Sequence, residues 1–476
     1  MTLFKNISWY TIGTIIIQLI GLLLNVILAR MLNPEIFGVA SIASTVILFC
    51  FIVQEAGLNA SIIQNKKIDD LTISATFLLN ILLSICLCIV IIIVAPLLAN
   101  FYGMPQLKEV LYFSIIGILL ASFGLCAKGL VMRSRAFKKL TIIELISEII
   151  VFFLTFLVLH FSSGVLAICT RVIFRPVFHT ILLLSLNRRN YLKKLPNKQT
   201  YKEIIPFSLN VLGSRILEFF KNHVDYLLIG LLLGASSLGI YTIAFQWSTL
   251  VKFYIGGTIA KVLFPEISRL QEDSIKLKKL FVNITEKVTF IMYPLCLGLY
   301  SISEEFVIIL YGEDWKESAN ILKVLIIAGV IAAFSHITTR FLQGIGKPAI
   351  DFYNKIISFT TLVIVIIIGS NFGLTGVAFA ILINTIIFDF YLLKRLLNQL
   401  NSNFKLFYQS IKINLINSII MTVLILLLKP TIINFISNKY AILAVLIILG
   451  IIIYFILTFL FNRKLVNSMI NKIKTV

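Results

Sequence analysis

Apolar stretches of about twenty residues, separated by short polar segments, follow one another along the whole chain. A helix of that length crosses the hydrocarbon core of a bilayer, which is about 30 Å thick. Within lipid a spanning segment must satisfy its own backbone hydrogen bonds, and the alternating pattern of a membrane β-barrel is absent. With 59% hydrophobic and 13% charged residues and a mean hydropathy of +1.01, the chain is predicted to be an all-α polytopic membrane protein.

Fourteen transmembrane helices are predicted from the apolar stretches. They cover residues 9–29, 39–62, 73–98, 109–132, 141–161, 165–187, 205–233, 239–264, 280–303, 319–345, 351–370, 373–393, 409–428 and 440–461. When both termini are placed in the cytoplasm, nearly all lysines and arginines between the helices fall on the inner side. The outer segments then hold only Arg30, Lys108, Lys316, Lys429 and Lys439. The net charge of +21 therefore indicates membrane topology and not a nucleic-acid partner.

This orientation is testable by labelling. Cysteines placed at Asn197 and Asn371 are expected to react with a membrane-impermeant reagent from opposite sides, because the two positions lie in an inner and an outer connection. Labelling of both positions from one side would contradict the topology.

Two parts of the chain resemble each other. Leu32 to Gly38, LNPEIFG, is echoed 201 positions later by Leu233 to Gly239, LGASSLG, and Phe101-Tyr102-Gly103 is echoed by Leu310-Tyr311-Gly312. Both matches fall at equivalent points of units with six helices each, which predicts two parallel six-helix bundles around a central cavity, followed by two C-terminal helices. The predicted parts are an N-terminal half at 1–187, a cytoplasmic linker at 188–204, a second half at 205–394 and the last two helices with a cytoplasmic tail at 395–476.

The seventh predicted helix, Pro206 to Gly234, is unusual because it carries Arg215, Glu218, Lys221 and Asp225 on an arc of about 120°. Each charge facing lipid at mid-membrane costs about 2.5–3.5 kcal/mol, so the arc is expected to face protein or water. One interpretation is that Arg215 pairs with Glu218 and Lys221 with Asp225 along the helix. The other is that the arc lines a water-filled substrate pathway.

Further cations lie within apolar stretches. Arg171 and Arg175, followed by His179, share one face of the sixth helix, while Lys252 lies in the eighth and Arg340 in the tenth. Arginine suits a phosphate group because its planar fork donates two hydrogen bonds to adjacent oxygens. Arg171, Arg175, Arg215, Lys221, Lys252 and Arg340 are therefore candidate ligands of an anionic substrate. The alternative is that such long side chains reach out to the lipid headgroups.

Carboxylates within the spans are candidates for coupling to a proton or sodium gradient, and Glu55, Glu218 and Asp225 are chosen for this role. Four others lie nearer the inner interface, where ion pairs with loop lysines and arginines are expected: Glu144, Glu148, Glu286 and Asp389. No catalytic motif, nucleotide-binding loop or metal-ligand spacing is present, and the six cysteines lie in apolar stretches. No cofactor, metal site or disulfide is expected.

Several motifs together resemble the polysaccharide repeat-unit flippases of the multidrug/oligosaccharidyl-lipid/polysaccharide exporter superfamily. The resemblance covers roughly residues 1–400. The motifs are LARMLNPEIFG from Leu28, Glu55-Ala56-Gly57-Leu58, the segment from Asn222 to Tyr241, LFPEISRLQ from Leu263, YGEDW from Tyr311 and QGIGKP from Gln343.

This resemblance implies the two-bundle fold with two extra helices. It also implies movement of an undecaprenyl-diphosphate-linked oligosaccharide to the outer leaflet for O-antigen, capsule or exopolysaccharide assembly. The expected setting is the bacterial cytoplasmic (inner) membrane, with a monomer working beside a polymerase and chain-length machinery and in contact with membrane lipids. A cation-coupled multidrug exporter of the same superfamily and a membrane-embedded glycan polymerase or ligase are the alternatives.

Overall fold

The computed structural model describes residues 2–64, 68–186, 189–251, 266–271 and 273–462. In these ranges the regular elements are helices, labelled here α1 to α17. Their bounds are α1 Thr2–Met31, α2 Pro34–Glu55, α3 Leu58–Gln64, α4 Asp70–Tyr102, α5 Pro105–Ser122, α6 Leu125–Arg133, α7 Phe137–Phe161, α8 Gly164–Leu186, α9 Lys198–Leu232, α10 Gly234–Val251, α11 Ser274–Ser301, α12 Ser303–Tyr311, α13 Lys316–Gly344, α14 Pro348–Ser370, α15 Gly373–Gln399, α16 Phe404–Phe435 and α17 Lys439–Phe461.

Twelve of the described helices are long and apolar enough to cross a membrane, so the chain is a multi-span membrane protein. They correspond to twelve of the fourteen predicted spans. The seventh and eighth predicted spans are not among the twelve. Helix α9, the seventh, carries too many charged residues to qualify as a span by its composition, and the eighth is described only up to residue 251. The all-α class is confirmed, and the total of fourteen spans stays a prediction.

The chain forms two compact units, residues 1–239 and 240–476. In the first unit α9 packs against α2, α3 and α4, although the repeat pattern assigns this helix to the second half. That helix also begins at Lys198, within the predicted linker, because the Asn197 side chain accepts the backbone N–H of Thr200 at 2.9 Å. The proposed repeat boundaries describe sequence similarity and remain a prediction.

In the first unit, N-terminal caps explain where several helices begin. Asn33 accepts the amide of Ile36 at 3.0 Å, which lets Pro34 occupy the first turn of α2. Asp69 caps α4 in the same way, and hydrogen bonds from the hydroxyl and amide of Thr72 lower the pKa of its carboxyl group. The Asn-Pro motif of the predicted repeat is therefore a helix start.

The second predicted span, 39–62, is wrong as a single helix. It divides into α2 and α3 at Ala56 and Gly57, whose φ angles are 40° and 70°. A left-handed residue ends a helix, and glycine adopts this conformation without a steric penalty. The break leaves Glu55 as the last residue of α2.

The fourth predicted span, 109–132, also divides, into α5 and α6, at a turn around Phe123 and Gly124. Three carbonyl groups just before this turn accept hydrogen bonds from side chains of three different helices. Such bonds satisfy backbone groups that a distorted helix leaves free. The bonds are Gln54 Nε2 to the Ile118 oxygen at 2.8 Å, Asn80 Nδ2 to the Ser122 oxygen at 2.7 Å and Thr180 Oγ1 to the Ala121 oxygen at 3.3 Å.

The starts of α2 and α10 approach each other closely within the first unit. A Cβ atom on Gly38 would lie 1.8 Å from the carbonyl oxygen of Ala235, and one on Gly239 would lie 1.8 Å from that of Pro34. Only glycine allows backbones this close. Both glycines belong to the motif that suggested the repeat.

In the second unit, a buried core joins α11, α13, α15 and α16. The ring of Phe281 contacts those of Phe341 and Phe407, with centroids 5.4 and 6.4 Å apart, and all three side chains are buried. Helices α14 and α15 pack against each other and against α13.

The last two helices, α16 and α17, are joined to the second unit by polar contacts. Asn414 Nδ2 donates to Thr289 Oγ1 at 2.9 Å, and the Tyr454 hydroxyl donates to the Phe290 oxygen at 2.9 Å. Hydrogen bonds in apolar surroundings orient helices because their loss leaves an unsatisfied group in the hydrocarbon. These helices are therefore an integral part of this unit.

Ion pairs hold an acidic segment of the second unit, residues 304–317. Lys429 Nζ lies 2.7 Å from Glu305 Oε1, and Lys439 Nζ lies 3.1 Å from Glu313 Oε1, so both C-terminal helices contact this segment. A hydrogen bond from Lys316 lowers the pKa of Glu304. The acidic residues of this segment thus neutralise lysines of α13, α16 and α17.

Candidate functional site

The charged arc of α9 remains accessible in the folded unit. Glu218 and Lys221 are exposed, Arg215 is partly exposed and Asp225 is buried. The opposite side exposes an apolar surface that includes Leu209 and Phe220. Because charged groups on a membrane helix avoid lipid, the apolar side suits lipid and the exposed part of the charged arc must face water or other protein groups.

Arg215 is joined to the helix break between α2 and α3. Its Nη1 donates a hydrogen bond to Glu55 Oε2 at 2.7 Å, and the two side chains are 39% and 24% exposed. The interpretation in which Arg215 pairs with Glu218 along α9 is therefore wrong for Arg215. The sequence singled out Glu55 and Arg215 for separate roles, and the structure brings them into direct contact.

Arg171 and Arg175 share a single carboxylate, that of Glu148 on α7. Their Nε atoms lie 2.6 and 3.0 Å from its Oε1 and Oε2, respectively. Glu148 is 1% exposed, whereas the arginines are 27% and 33% exposed. The expectation that Glu148 pairs with loop residues is wrong. The group keeps a surplus positive charge that reaches an accessible surface.

Helix α1 contributes a polar face beside these arginines that sequence reasoning missed. A Cβ atom on Gly21 would lie 2.5 Å from the guanidinium carbon of Arg171, so the missing side chain provides the space for this group. Thr14, Gln18 and Asn25 project from the same side of α1 as Gly21, and Thr14 and Gln18 are exposed. The spacing of these polar residues on one face was the available signal.

His179 continues the basic stripe of α8. Its Nε2 is buried and has no hydrogen-bond partner among the residues that the structure describes. Lys128 and Arg175 lie close enough to interact electrostatically with the ring. Arg175 on α8 and Lys128 on α6 therefore both lie near this ring.

The remaining candidates lie apart from these groups or outside the described ranges. Asp225 is buried and its Oδ1 accepts the backbone N–H of Tyr226 at 3.0 Å. Arg340 belongs to the second unit, where its Nη1 donates to Gln343 Oε1 at 3.0 Å. Lys252 lies outside the described residues. Within those residues, histidine, cysteine and carboxylate side chains form no cluster of three that could hold a metal ion.

The basic groups of the first unit thus form two sites, Arg215 with Glu55 and the arginine pair with Glu148. Residues 27–320 match the family described as "Polysaccharide biosynthesis protein". The chain belongs to this family. The resemblance seen in the sequence is thereby confirmed.

Individual relatives extend this assignment. The chain is 24% identical over 404 residues to the lipopolysaccharide biosynthesis protein WzxC of Escherichia coli (strain K12), covering 83% of this chain and 82% of WzxC. It is 23% identical over 356 residues to the succinoglycan biosynthesis transport protein ExoT of Rhizobium meliloti (strain 1021), covering 74% and 71%.

A solved structure shares the fold. The lipid II flippase MurJ, in an inward closed conformation, superimposes with a TM-score of 0.77 over 96% of this chain and 99% of MurJ, at 18% sequence identity. At this identity the likeness establishes the fold and leaves the substrate to be argued from the site.

Proposed function

We propose that this protein is a flippase that moves undecaprenyl-diphosphate-linked oligosaccharide repeat units from the cytoplasmic to the outer leaflet of the bacterial cytoplasmic membrane. Membership of the polysaccharide biosynthesis family supports the substrate class, and the fold shared with a lipid II flippase supports the type of movement. The protein works by alternating access, as a monomer with both termini in the cytoplasm. It delivers the repeat units to a polysaccharide polymerase. No catalytic step is assigned to it.

The observation that carries this proposal is the accessible surplus of arginine within the bilayer-spanning part of the first unit. Two guanidinium groups share one buried carboxylate, and the nearby charges of Glu144 and Lys128 offset each other. The site therefore holds net positive charge where a cation-binding site would hold net negative charge. A diphosphate brings several oxygens that accept paired hydrogen bonds from arginine. The same surplus disfavours the alternative of an exporter of cationic drugs.

Two parallel six-helix bundles around a central cavity remain part of the proposal. The reciprocal contact at the starts of α2 and α10 supports it: the shift of 201 residues converts Pro34 into Ala235 and Gly38 into Gly239, and so converts one close contact into the other. A pair of repeats related by a two-fold axis produces contacts of this kind.

Coupling to a proton or sodium gradient is proposed through the carboxylates Glu55, Glu218 and Asp225. Glu55 and Glu218 are accessible, and a carboxylate that changes its ion between two states can link transport to a gradient. Ionophores are expected to slow flipping in proteoliposomes, and an unchanged rate would remove this part of the proposal.

Neutralising the arginine pair is the direct test. Arg175→Gln is expected to lower polymer export by at least about tenfold and to accumulate lipid-linked oligosaccharide in the cytoplasmic leaflet, because the site loses a ligand of the diphosphate. Export and the lipid intermediate would be measured in a deletion strain complemented with each variant, at equal protein level.

The matched control is Arg189→Gln, which removes an arginine of similar exposure whose Nη2 pairs with Asp70 at 2.9 Å beyond the end of α8. It is expected to leave export unchanged. Normal export by the variants at Arg171, Arg175 and Arg215 would overturn the proposed anion site.

A further inference from the structure

The contact between Glu55 and Arg215 joins a partly exposed ion pair to a break in a membrane helix. Glu55 is the last residue of α2, and the chain turns at once through Ala56 and Gly57 into α3. Alanine seldom adopts a φ of 40°, since its Cβ meets the following carbonyl group. A strained backbone of this kind persists only where its surroundings hold it.

Helix α9 supplies those surroundings. A Cβ atom on Gly57 would lie 2.7 Å from the Val211 Cβ and 2.8 Å from the carbonyl oxygen of Ser208, so the break packs directly on α9. Arg215 follows Val211 by one turn and reaches Glu55 from the same helix. Packing and the ion pair therefore fix the break at two adjacent points.

The ion pair of Arg215 and Glu55 is the contact that a ligand can break. One guanidinium N–H, on Nη1, binds one carboxylate oxygen, and no second hydrogen bond of Arg215 is present among the described residues. Arginine has five N–H donors, so an anion can approach while the pair is still formed. Partly exposed ion pairs add little stability and are readily exchanged, whereas a diphosphate can form two parallel hydrogen bonds.

We propose that the pair of Glu55 and Arg215 is a latch that a diphosphate-class anion opens. The anion binds Arg215 and displaces Glu55. Because the ion pair then no longer holds the backbone at Ala56 and Gly57, α3 changes its angle to α2. Substrate binding is thereby linked to a movement of the first unit. This inference rests on the proposed function, because that function supplies the lipid-linked diphosphate.

Affinity measurements test the exchange. Purified full-length protein in nanodiscs would be titrated with inorganic pyrophosphate and, separately, reconstituted with a polyprenyl diphosphate. Glu55→Gln is expected to bind pyrophosphate about tenfold more tightly, because the anion no longer displaces a carboxylate. Arg215→Gln is expected to lose the pyrophosphate binding that Glu55→Gln strengthens, whereas binding at Arg171 and Arg175 remains. The control is Glu203→Gln on α9. The Glu203 carboxylate accepts a hydrogen bond from Gln199 at 3.1 Å, and this variant should bind pyrophosphate with the affinity of the parent protein.

Distance measurements test the movement. Spin labels at Gln64, the end of α3, and Lys202 on α9 would be introduced into a variant without the six native cysteines. Pyrophosphate or the polyprenyl diphosphate is expected to add a second distance population in the parent protein. Glu55→Gln should show that population without ligand, since its latch is already open.

The latch is overturned if Glu55→Gln binds pyrophosphate with the parent affinity, if Arg215→Gln retains full binding, or if the label distance stays the same with and without ligand. If the second distance population appears with the polyprenyl diphosphate but not with pyrophosphate, the lipid and not the anion causes the movement, and the proposal that an anion opens the latch is overturned. If Arg215→Gln does not fold, the Glu55→Gln affinity decides the question. Failure of the proposed function is separate, because it is read from polymer export by the Arg171 and Arg175 variants, which leave the pair of Glu55 and Arg215 intact.

Discussion

Replacing Gly38 with alanine is expected to lower the free energy of unfolding by about 3 kcal/mol, the upper part of the range for overpacked sites. The added Cβ would lie 1.8 Å from the carbonyl oxygen of Ala235, and a backbone oxygen cannot turn away as a side chain can. The starts of α2 and α10 must then move apart. Gly239→Ala is expected to have the same effect, because its Cβ would meet the oxygen of Pro34 at 1.8 Å.

Thermal unfolding of the purified protein measures this effect, and Gly213→Ala is the matched control. Gly213 lies within α9 and has open space around its missing Cβ, so alanine there removes only the helix-weakening freedom of glycine. That substitution should leave stability unchanged or raise it by up to about 1 kcal/mol. A midpoint of Gly38→Ala equal to that of Gly213→Ala would show that the close contact is not present in the folded protein.

Glu148→Gln is the second change with a large expected effect. It removes the carboxylate that contacts both Arg171 and Arg175 in the described part of the chain, leaving two like charges close together in a membrane-spanning bundle. Removing one partner of a buried ion pair costs about 3–5 kcal/mol, since the remaining charge is unpaired. We expect reduced amounts of folded protein and a lower unfolding midpoint.

The double variant Glu148→Gln with Arg171→Gln separates charge from packing. It removes one positive and one negative group and is expected to recover much of the lost stability while transport remains impaired. Glu203→Gln on α9 is the control, because the Glu203 carboxylate accepts a hydrogen bond from Gln199 at 3.1 Å and belongs to neither arginine site. Equal losses in Glu148→Gln and Glu203→Gln would contradict the role assigned to Glu148.

Hydropathy alone predicted most of the fold because each membrane helix must satisfy its own backbone and present about twenty apolar residues. Twelve predicted spans correspond to helices long and apolar enough to cross a membrane, but hydropathy did not reveal the breaks after Glu55 and Ser122 in two of them. Gly57 and Gly124 were visible signals of these breaks within otherwise apolar runs. They were missed because glycine is also common within membrane helices.

The site could be predicted only as a set of residue types. Charges on α2, α8 and α9 were recognisable, but the partner of Arg215 lies 160 positions away at Glu55, and that of Arg171 lies 23 positions away at Glu148. Such pairs depend on how each helix is rotated about its axis, which hydropathy does not determine. The pairing of arginines with carboxylates therefore required the structure.

Ala56 gives the break between α2 and α3 a discrete character. Alanine has well-separated left-handed and right-handed wells, and α2 would continue straight into α3 if both Ala56 and Gly57 adopted the right-handed conformation. A glycine at that position would occupy a broad range of intermediate angles. With alanine, this residue has two settings and few positions between them, so a ligand that binds the straight form about 10⁴-fold more tightly would convert nearly the whole population from a bent helix to a straight one.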